Sequence, residues 1–328
     1  MRRALISAAL VILASVGSVS AAQPWPAEST SEATKLTVID EGLDHTDWSG
    51  AAWNPETRSL WLACNSGCFW ELVEDETEGF KVATNAGETQ AKWLSGGDLE
   101  GICQADNTQR IVYLMDEDGW IREYDVSQYG VVVQSRSWDI RAQCPESSGS
   151  GPEGITFVPD AWLQREGFRA ANGNLYTSTN GMGGLMFVGH QSGGYIHVFD
   201  LNRVNNSYSY VGKYKSGRSE TAALDFDRST GKLYIWHNVG SENFLEVVKL
   251  SSYVDSGERR LRQMVEYVGP RTGNLEGFAL LPTPEKNNWC FVTDDSNYNH
   301  EAVMWYHQFQ PSERTVNNSL PHLWILLH

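Results

Sequence analysis

Three segments of the chain place a glutamate directly before a glycine and an apolar residue: GGDLEGICQ at Glu100, GPEGITF at Glu153 and NLEGFAL at Glu276. Two weaker copies extend the series. RSETAALDFD puts Glu220 in the register of the glutamates, and DWSGAAWNP puts Ser49 there. The five starts are spaced at roughly fifty to seventy residues, the mark of an internal repeat. If a fold gathers these positions, several carboxylates share one site, and they cannot all stay ionised without protons or a cation. An oxygen-only set suits a hard ion, most simply Ca2+. The competing reading is that each glutamate accepts backbone N–H bonds from its neighbouring repeat and ties the repeats together without metal.

Each start is followed by the same grammar. A short apolar strand leads to a turn such as NPETRS, ADNTQR, DRSTGK or TPEKNN. A β-rich strand follows (LWLACN, IVYLMDE, LYTSTNG leading to LMFVGH, LYIWHN, WCFVTDD), then a third (FWELV, WIREYDV, YIHVFDL, FLEVVKL, VMWYHQF) and usually a more polar fourth, as in VVVQSRSWDI. Four period-two strands per repeat with tight turns describe a propeller blade. The sequence therefore predicts an all-β chain, a single propeller of five four-stranded blades over 35–310. It would follow a linker at 23–34 and precede a tail or closing strand at 311–328. KLTVID (35–40) is expected to complete the last blade, with LWILL as the alternative, and the insertion at 159–174 to sit on the face opposite the glutamates.

In such a ring the first strands line the axis and the second strands return to the same mouth. Glu100, Glu153, Glu220 and Glu276 would then converge with Ser49. A second ring comes from the second-strand ends: Asn65; Asp116, Glu117 and Asp118; His190 and Gln191; His237 and Asn238; Asp294 and Asp295. The metal candidates are Glu100, Glu153, Glu220, Glu276, Asp116 and Asp294. His190 and His237 leave room for a transition metal in place of calcium. Glycine after each glutamate is expected where inner strands crowd the axis.

DLEGI, PEGITF and NLEGFALLP, each followed by a strand such as IVYLMDE or CFVTDD, resemble the phytase-like esterase and SdiA-regulated group of exported β-propellers. The resemblance spans about 44–309 and rests on repeat grammar and three motifs. It implies that the repeated Glu-Gly marks the inner strand, that calcium is held near the axis, and that Glu100, Glu153, Glu220 and Glu276 face it. Ser49 and ETAAL depart from the pattern. A weaker resemblance links the chain to gluconolactonase-type propellers, which open with Glu-Gly-Pro and usually have six blades.

Two functions follow as expectations. One is a metal-assisted hydrolase of a small-molecule ester or phosphate ester, with Glu100 or Glu153 as general base and His190 or His237 as acid. The other is a non-catalytic propeller in which calcium plugs the axis or bridges to an unknown ligand. Only Lys92, Arg218 and Arg271 are expected near the mouth, few cations for a polyphosphate. No G-x-S-x-G, H-E-x-x-H or P-loop occurs.

The N-terminal MRRALISAALVILASVGSVSAA reads as a signal peptide over 1–22, with a basic start, a short apolar run and small residues at its end. Export to the periplasm or outside the cell is expected, with no integral membrane span and a monomeric product. A formal net charge of −16 makes nucleic acid a poor partner. Five cysteines leave at least one unpaired within the chain, and CNSGC could close a small disulfide loop. His45, His197, His307 and His322 read as ordinary histidines. The 13 tryptophans read as packing between blades.

Overall fold

A computed structural model describes residues 21–44, 47–77, 79–146, 149–282, 288–296 and 301–311. Nearly all of the expected leader, His45, His322 and the LWILL segment lie outside the described residues. Among the described residues no helix is long and apolar enough to cross a membrane.

The strands fall into five antiparallel groups in chain order. After β1 (Thr34–Lys35), the first blade holds β2 (Trp48–Asn54), β3 (Ser59–Cys64) and β4 (Cys68–Asp75), with β5 (Gly79–Val82) and β6 (Lys92–Leu94) sharing the outer edge of β4. The second holds β7 (Leu99–Cys103), β8 (Ile111–Asp116), β9 (Trp120–Asp125) and β10 (Val133–Asp139). The third holds β11 (Pro152–Pro159), β12 (Gly184–His190), β13 (Tyr195–Leu201) and β14 (Tyr208–Lys215). The fourth holds β15 (Ala223–Asp227), β16 (Lys232–Val239), β17 (Glu242–Asp255) and β18 (Glu258–Val268), and a single parallel pairing of Lys215 with Arg260 joins it to the third. The fifth holds β19 (Leu275–Leu281), β20 (Asn288–Asp294) and β21 (Val303–Phe309), and β1 supplies its outermost strand through Thr34↔Trp305 and Lys35↔Met304.

Hydrophobic packing lies between the blades. Five buried clusters occupy the five junctions between neighbouring blades; Leu62, Trp70, Phe291 and Trp305, for example, join the first to the fifth. This is an all-β propeller. Side chains alternate about each pleated sheet, so both faces of a blade meet a neighbour, and the middle strands read as nearly unbroken apolar runs.

Several expectations are adjusted by local chemistry. KLTVID does bring the N-terminal segment onto the last blade, but only Thr34–Lys35 is strand and Leu36–Ile39 is a 3-10 turn. Residues expected to form a linker are pinned to the ring: Trp25 packs on Trp236, Tyr306 and Phe309, and the Glu28 carboxylate accepts the His307 and Gln308 N–H groups. In the third blade LYTSTNG is not strand. A short helix, Asp160–Glu166, and an irregular segment precede β12, and Asp160 and Asp200 accept N–H and hydroxyl bonds from Ser178 and Thr179 instead.

A second repeated glutamate escaped the sequence reading. Glu71 and Glu123 occupy equivalent third-strand positions, opposite Trp61 and Tyr113. Glu71 takes both arms of Arg110 from the second blade at 2.7 and 2.8 Å. Glu123 binds Arg136 of its own blade and Arg203 of the third. These are blade-to-blade ties. Arg110→Met would leave Glu71, 2 % exposed, without its cation, and a loss on the order of 3 kcal/mol is expected in urea unfolding. An unchanged midpoint would show that the tie contributes nothing.

Candidate functional site

The axial mouth is built by a backbone irregularity repeated around the ring. In β2, β7, β11 and β19 the register with the next strand shifts at Trp48/Gly50, Leu99/Gly101, Pro152/Ile155 and Leu275/Gly277. The extra residue of each bulge includes Ser49, Glu100, Glu153 or Glu276. A bulge turns a side chain out of strict alternation. It thereby aims these four residues at the axis while the rest of each strand stays in its blade.

The glycine that follows is demanded by the neighbouring inner strand. A Cβ on Gly101 would lie 2.7 Å from the Glu153 carbonyl oxygen, and one on Gly154 would lie 2.5 Å from Ala223 Cα. Both obstacles are backbone, so Gly154→Ala is expected to lower stability by about 1–3 kcal/mol or more. A thermal melt equal to wild type would refute that crowding.

Glu100, Glu153 and Glu276 offer carboxylate oxygens that all lie within 4.8 Å of one another. They are 5 %, 3 % and 7 % exposed, so water cannot solvate three charges there. Among the described residues no N–H or O–H donates to the carboxylate of Glu100 or Glu153. Glu276 has the Asn274 amide beside it. The ties that the competing reading requires are therefore missing from two of the three. Burial first, then Glu276, Asp98 and Asp295, push Glu100 up to about 10. Burial and then Glu100 raise Glu153 well above the usual carboxylate range, and burial and then Asp295 do the same to Glu276.

Glu220 is not in the register of these three. Ala223 takes the glycine position, because it meets Gly154. Asn54 and Asp227 close equivalent turns, each accepting N–H bonds two and three residues on, which fixes the same alignment. Ala222 thus stands where the other blades carry glutamate or serine, and Glu220 lies two residues upstream on the loop. It is half-buried and pushed up to about 7 by burial, and its charge is still felt at Glu153 and Glu276.

Asp116 and Asp294 do not join the cluster. Asp116 is bound by Arg122 through Nη2 at 2.8 Å and Nε at 3.0 Å, and Asp294 pairs with Arg271. Each also accepts the N–H two residues on, at Asp118 and Ser296. A carboxylate already matched by guanidinium has little charge to offer an ion. Both were expected as ligands, but sequence spacing carries no sign of these arginine partners.

The histidines are likewise committed. His190 Nδ1 accepts the Ser192 N–H at 3.0 Å and its Nε2–H points to the Pro145 carbonyl at 3.2 Å. His237 lies between the Glu220 carbonyl oxygen at 2.5 Å and Glu246 at 3.1 Å. Both ring nitrogens of each are occupied, so neither is placed as a free acid.

Further carboxylates stand beside the three glutamates. Asp98, Glu100 and Glu117 form a second close group that shares Glu100 with the first. Asp295, pushed up to about 6 by burial and by Asp47, accepts Asn274 at 2.9 Å and lies 3.3 Å from the Ser49 hydroxyl. Asn238 in turn donates to Asn274 at 2.7 Å. Asp98 was legible as the acid two residues before Glu100, and Glu117 and Asp295 as the residues after the arginine-paired aspartates. The donors that meet at the mouth are all oxygen: carboxylate, amide and hydroxyl.

No family model matches the chain, and no curated protein matches it. Among solved structures it is similar to a chain of the nidogen/laminin complex, at TM-score 0.40 and 12% identity, over 82% of this chain and 82% of that one. It is similar to Kuenenia stuttgartiensis hydrazine synthase at TM-score 0.41 and 11% identity, over 75% of this chain and 56% of that one. It is also similar to the Dos1 propeller at TM-score 0.40 and 10% identity, over 82% of this chain and 60% of that one.

Proposed function

We propose that this propeller holds a calcium ion among Glu100, Glu153 and Glu276, and that the ion-bearing mouth is where the protein binds its ligand. The supporting observation is the meeting of three buried carboxylates within 4.8 Å, two of them without a protein donor. The donor set fits the ion. Calcium takes six to eight oxygens in flexible geometry; carboxylates, the amides and hydroxyl beside them, and water can supply these. The signal peptide expected at the N-terminus would deliver the chain to calcium-rich surroundings, where modest affinity suffices. This agrees with the resemblance to exported phytase-like esterase and SdiA-regulated propellers. The test is calorimetric titration of CaCl2 into the chelated chain from residue 23, acting as a monomer. Saturable binding abolished by Glu276→Gln supports the reading; no bound calcium by atomic absorption overturns it.

Metal-assisted hydrolysis is the second reading, favoured by Glu220. A calcium ion held by Glu100, Glu153 and Glu276 would supply Lewis-acid polarisation of an ester or phosphoryl oxygen. Glu220, half-buried at the edge of the cluster and pushed up to about 7, is the residue suited to take a proton from water near neutrality. An ester fits better than a polyphosphate. Lys92 is held by Asp40 at 2.7 Å, Arg218 by Glu266 at 2.7 Å, and Arg271 by Asp294 and Glu301, so these three cations are already matched. The check is aryl-ester and aryl-phosphate turnover with calcium present. Ester hydrolysis lost on chelation and in Glu220→Gln supports catalysis; no turnover leaves ligand binding as the function.

A further inference from the structure

The hairpin between β3 and β4 is closed by a disulfide, Cys64–Cys68, and the three residues it encloses reach two sides of the mouth. On one side the Asn65 side chain accepts the Ser49 hydroxyl, which also lies 3.3 Å from Asp295, while Asn65 N–H donates to the Asp47 carbonyl at 3.2 Å. On the other side the Gly67 carbonyl accepts both the N–H and the hydroxyl of Ser95, at 2.9 and 3.2 Å. Gly67, at φ +81, packs so closely on Gly96 that a Cβ would lie 2.4 Å from Gly96 Cα. Ser95–Gly97 is the segment that delivers Asp98 and Glu100. One five-residue loop therefore fixes the entry to the second blade's glutamate and the serine and aspartate flanking Glu276.

We propose that the Cys64–Cys68 crosslink is a redox brace for the axial site: closed, it holds the carboxylates at cation-binding geometry, and opened by a dithiol, it releases them and weakens cation binding. The inference rests on the calcium reading above. Crosslinking so short a segment leaves Asn65 and Gly67 little freedom, whereas an open hairpin tip bearing Ser66 and Gly67 regains it. Cys68 is half-buried and Cys64 is buried, so the outer sulfur is the one a small dithiol reaches. Its thiolate attacks Cys68 Sγ and forms a mixed disulfide, and Cys64 leaves as a thiolate that takes a proton. The second thiol of the reductant then displaces Cys68 and closes its own ring. Two electrons pass to the protein, which gains two thiols, and the dithiol leaves oxidised. Cys103, Cys144 and Cys290 are buried and unpaired, and none belongs to this loop.

The experiment is calcium titration of the full chain, oxidised and dithiol-treated under argon, with thiols counted before and after. The double variant Cys64→Ser with Cys68→Ser is titrated in parallel. Reduction is expected to weaken calcium binding by roughly tenfold or more. The double variant should bind like the reduced protein and ignore the dithiol. Hydrogen exchange separates bracing from unfolding: the Ser95 and Asn65 amides should lose protection on reduction while the middle strands of the other blades keep theirs. Equal affinity in oxidised and reduced protein, with the thiol count confirming reduction, overturns the brace and leaves the calcium site standing. Absence of calcium binding in the oxidised protein removes the calcium site, and the brace with it. Loss of protection throughout the ring would show the disulfide to be a global staple and also overturn the proposal.

Discussion

In saturating CaCl2 the protein is expected to melt about 5–10 °C above its chelated form, and Glu153→Gln is expected to abolish most of that difference. A ligand that binds only the folded state stabilises it by about 2.7 kcal/mol at one hundred times its dissociation constant, and in a domain of this size each kcal/mol moves the midpoint by about 2–4 °C. Glu153 is the test residue because it is the most buried of the three and has no protein donor. The substitution has a second, opposite effect. The amide that replaces the carboxylate would carry no charge to desolvate, so the chelated variant should melt at or above chelated wild type. Calcium-independent melts of both proteins would remove the cation and leave the glutamates as protonated packing. A chelated variant far less stable than chelated wild type would mean that Glu153 makes a bond the structure does not contain.

The second large effect is in pH. Glu100, Glu153 and Glu276 all titrate higher in the native state than the ordinary glutamate value of 4.5, with Glu100 at about 10. Between those limits the native protein keeps protons that the unfolded chain has released. Stability from these groups is therefore full below pH 4.5 and falls as pH rises toward about 10. The slope is at most about 1.4 kcal/mol per pH unit for each proton retained. Chelated protein should be clearly more stable at about pH 5.5 than at about pH 8.5, and calcium should flatten the profile by displacing protons. Calorimetry at neutral pH in buffers of differing ionisation heat should then show protons released as the ion binds. A flat chelated profile, or binding without proton release, would mean the three carboxylates are already ionised and matched by cations.

The ring and the meeting of three glutamates on its axis were legible because their signals are local. Glu-Gly before an apolar run marks both the bulge and the crowding beside it, and turns built on residues such as Asn54 and Asp227 mark where each inner strand ends. What misled was register and pairing. Glu220 lines up with the other glutamates by chemistry, yet the strand that follows it runs two residues out of step, as the Asp227 turn would have revealed. Asp116, Asp294 and His190 end their strands where a mouth residue should, and His237 lies two residues short of the end of its own, but whether such a side chain faces the axis depends on a partner elsewhere in the chain. Arg122 and Arg271 take the two acids, and Pro145 and Glu246 bind the two imidazoles. Sequence periodicity carries no trace of these partners. Glu71 and Glu123 stayed hidden for the same reason, since a lone glutamate in a third strand has no meaning until Arg110 or Arg203 is placed across the blade junction.

The ring is closed by early and late segments of the chain: Thr34 pairs with Trp305 and Trp25 packs on Phe309 in the last blade, while Gln23 bridges to Tyr267 of the fourth. Because a polypeptide is made from its N-terminus, these early residues have partners that are made among the last. The early segment can find no native place until the strands of the last blade have been made. Sealing the ring then becomes a late event of long sequence separation, which is intrinsically slow. The same clasp that stabilises the finished molecule therefore leaves the growing chain unlatched until its last strands exist.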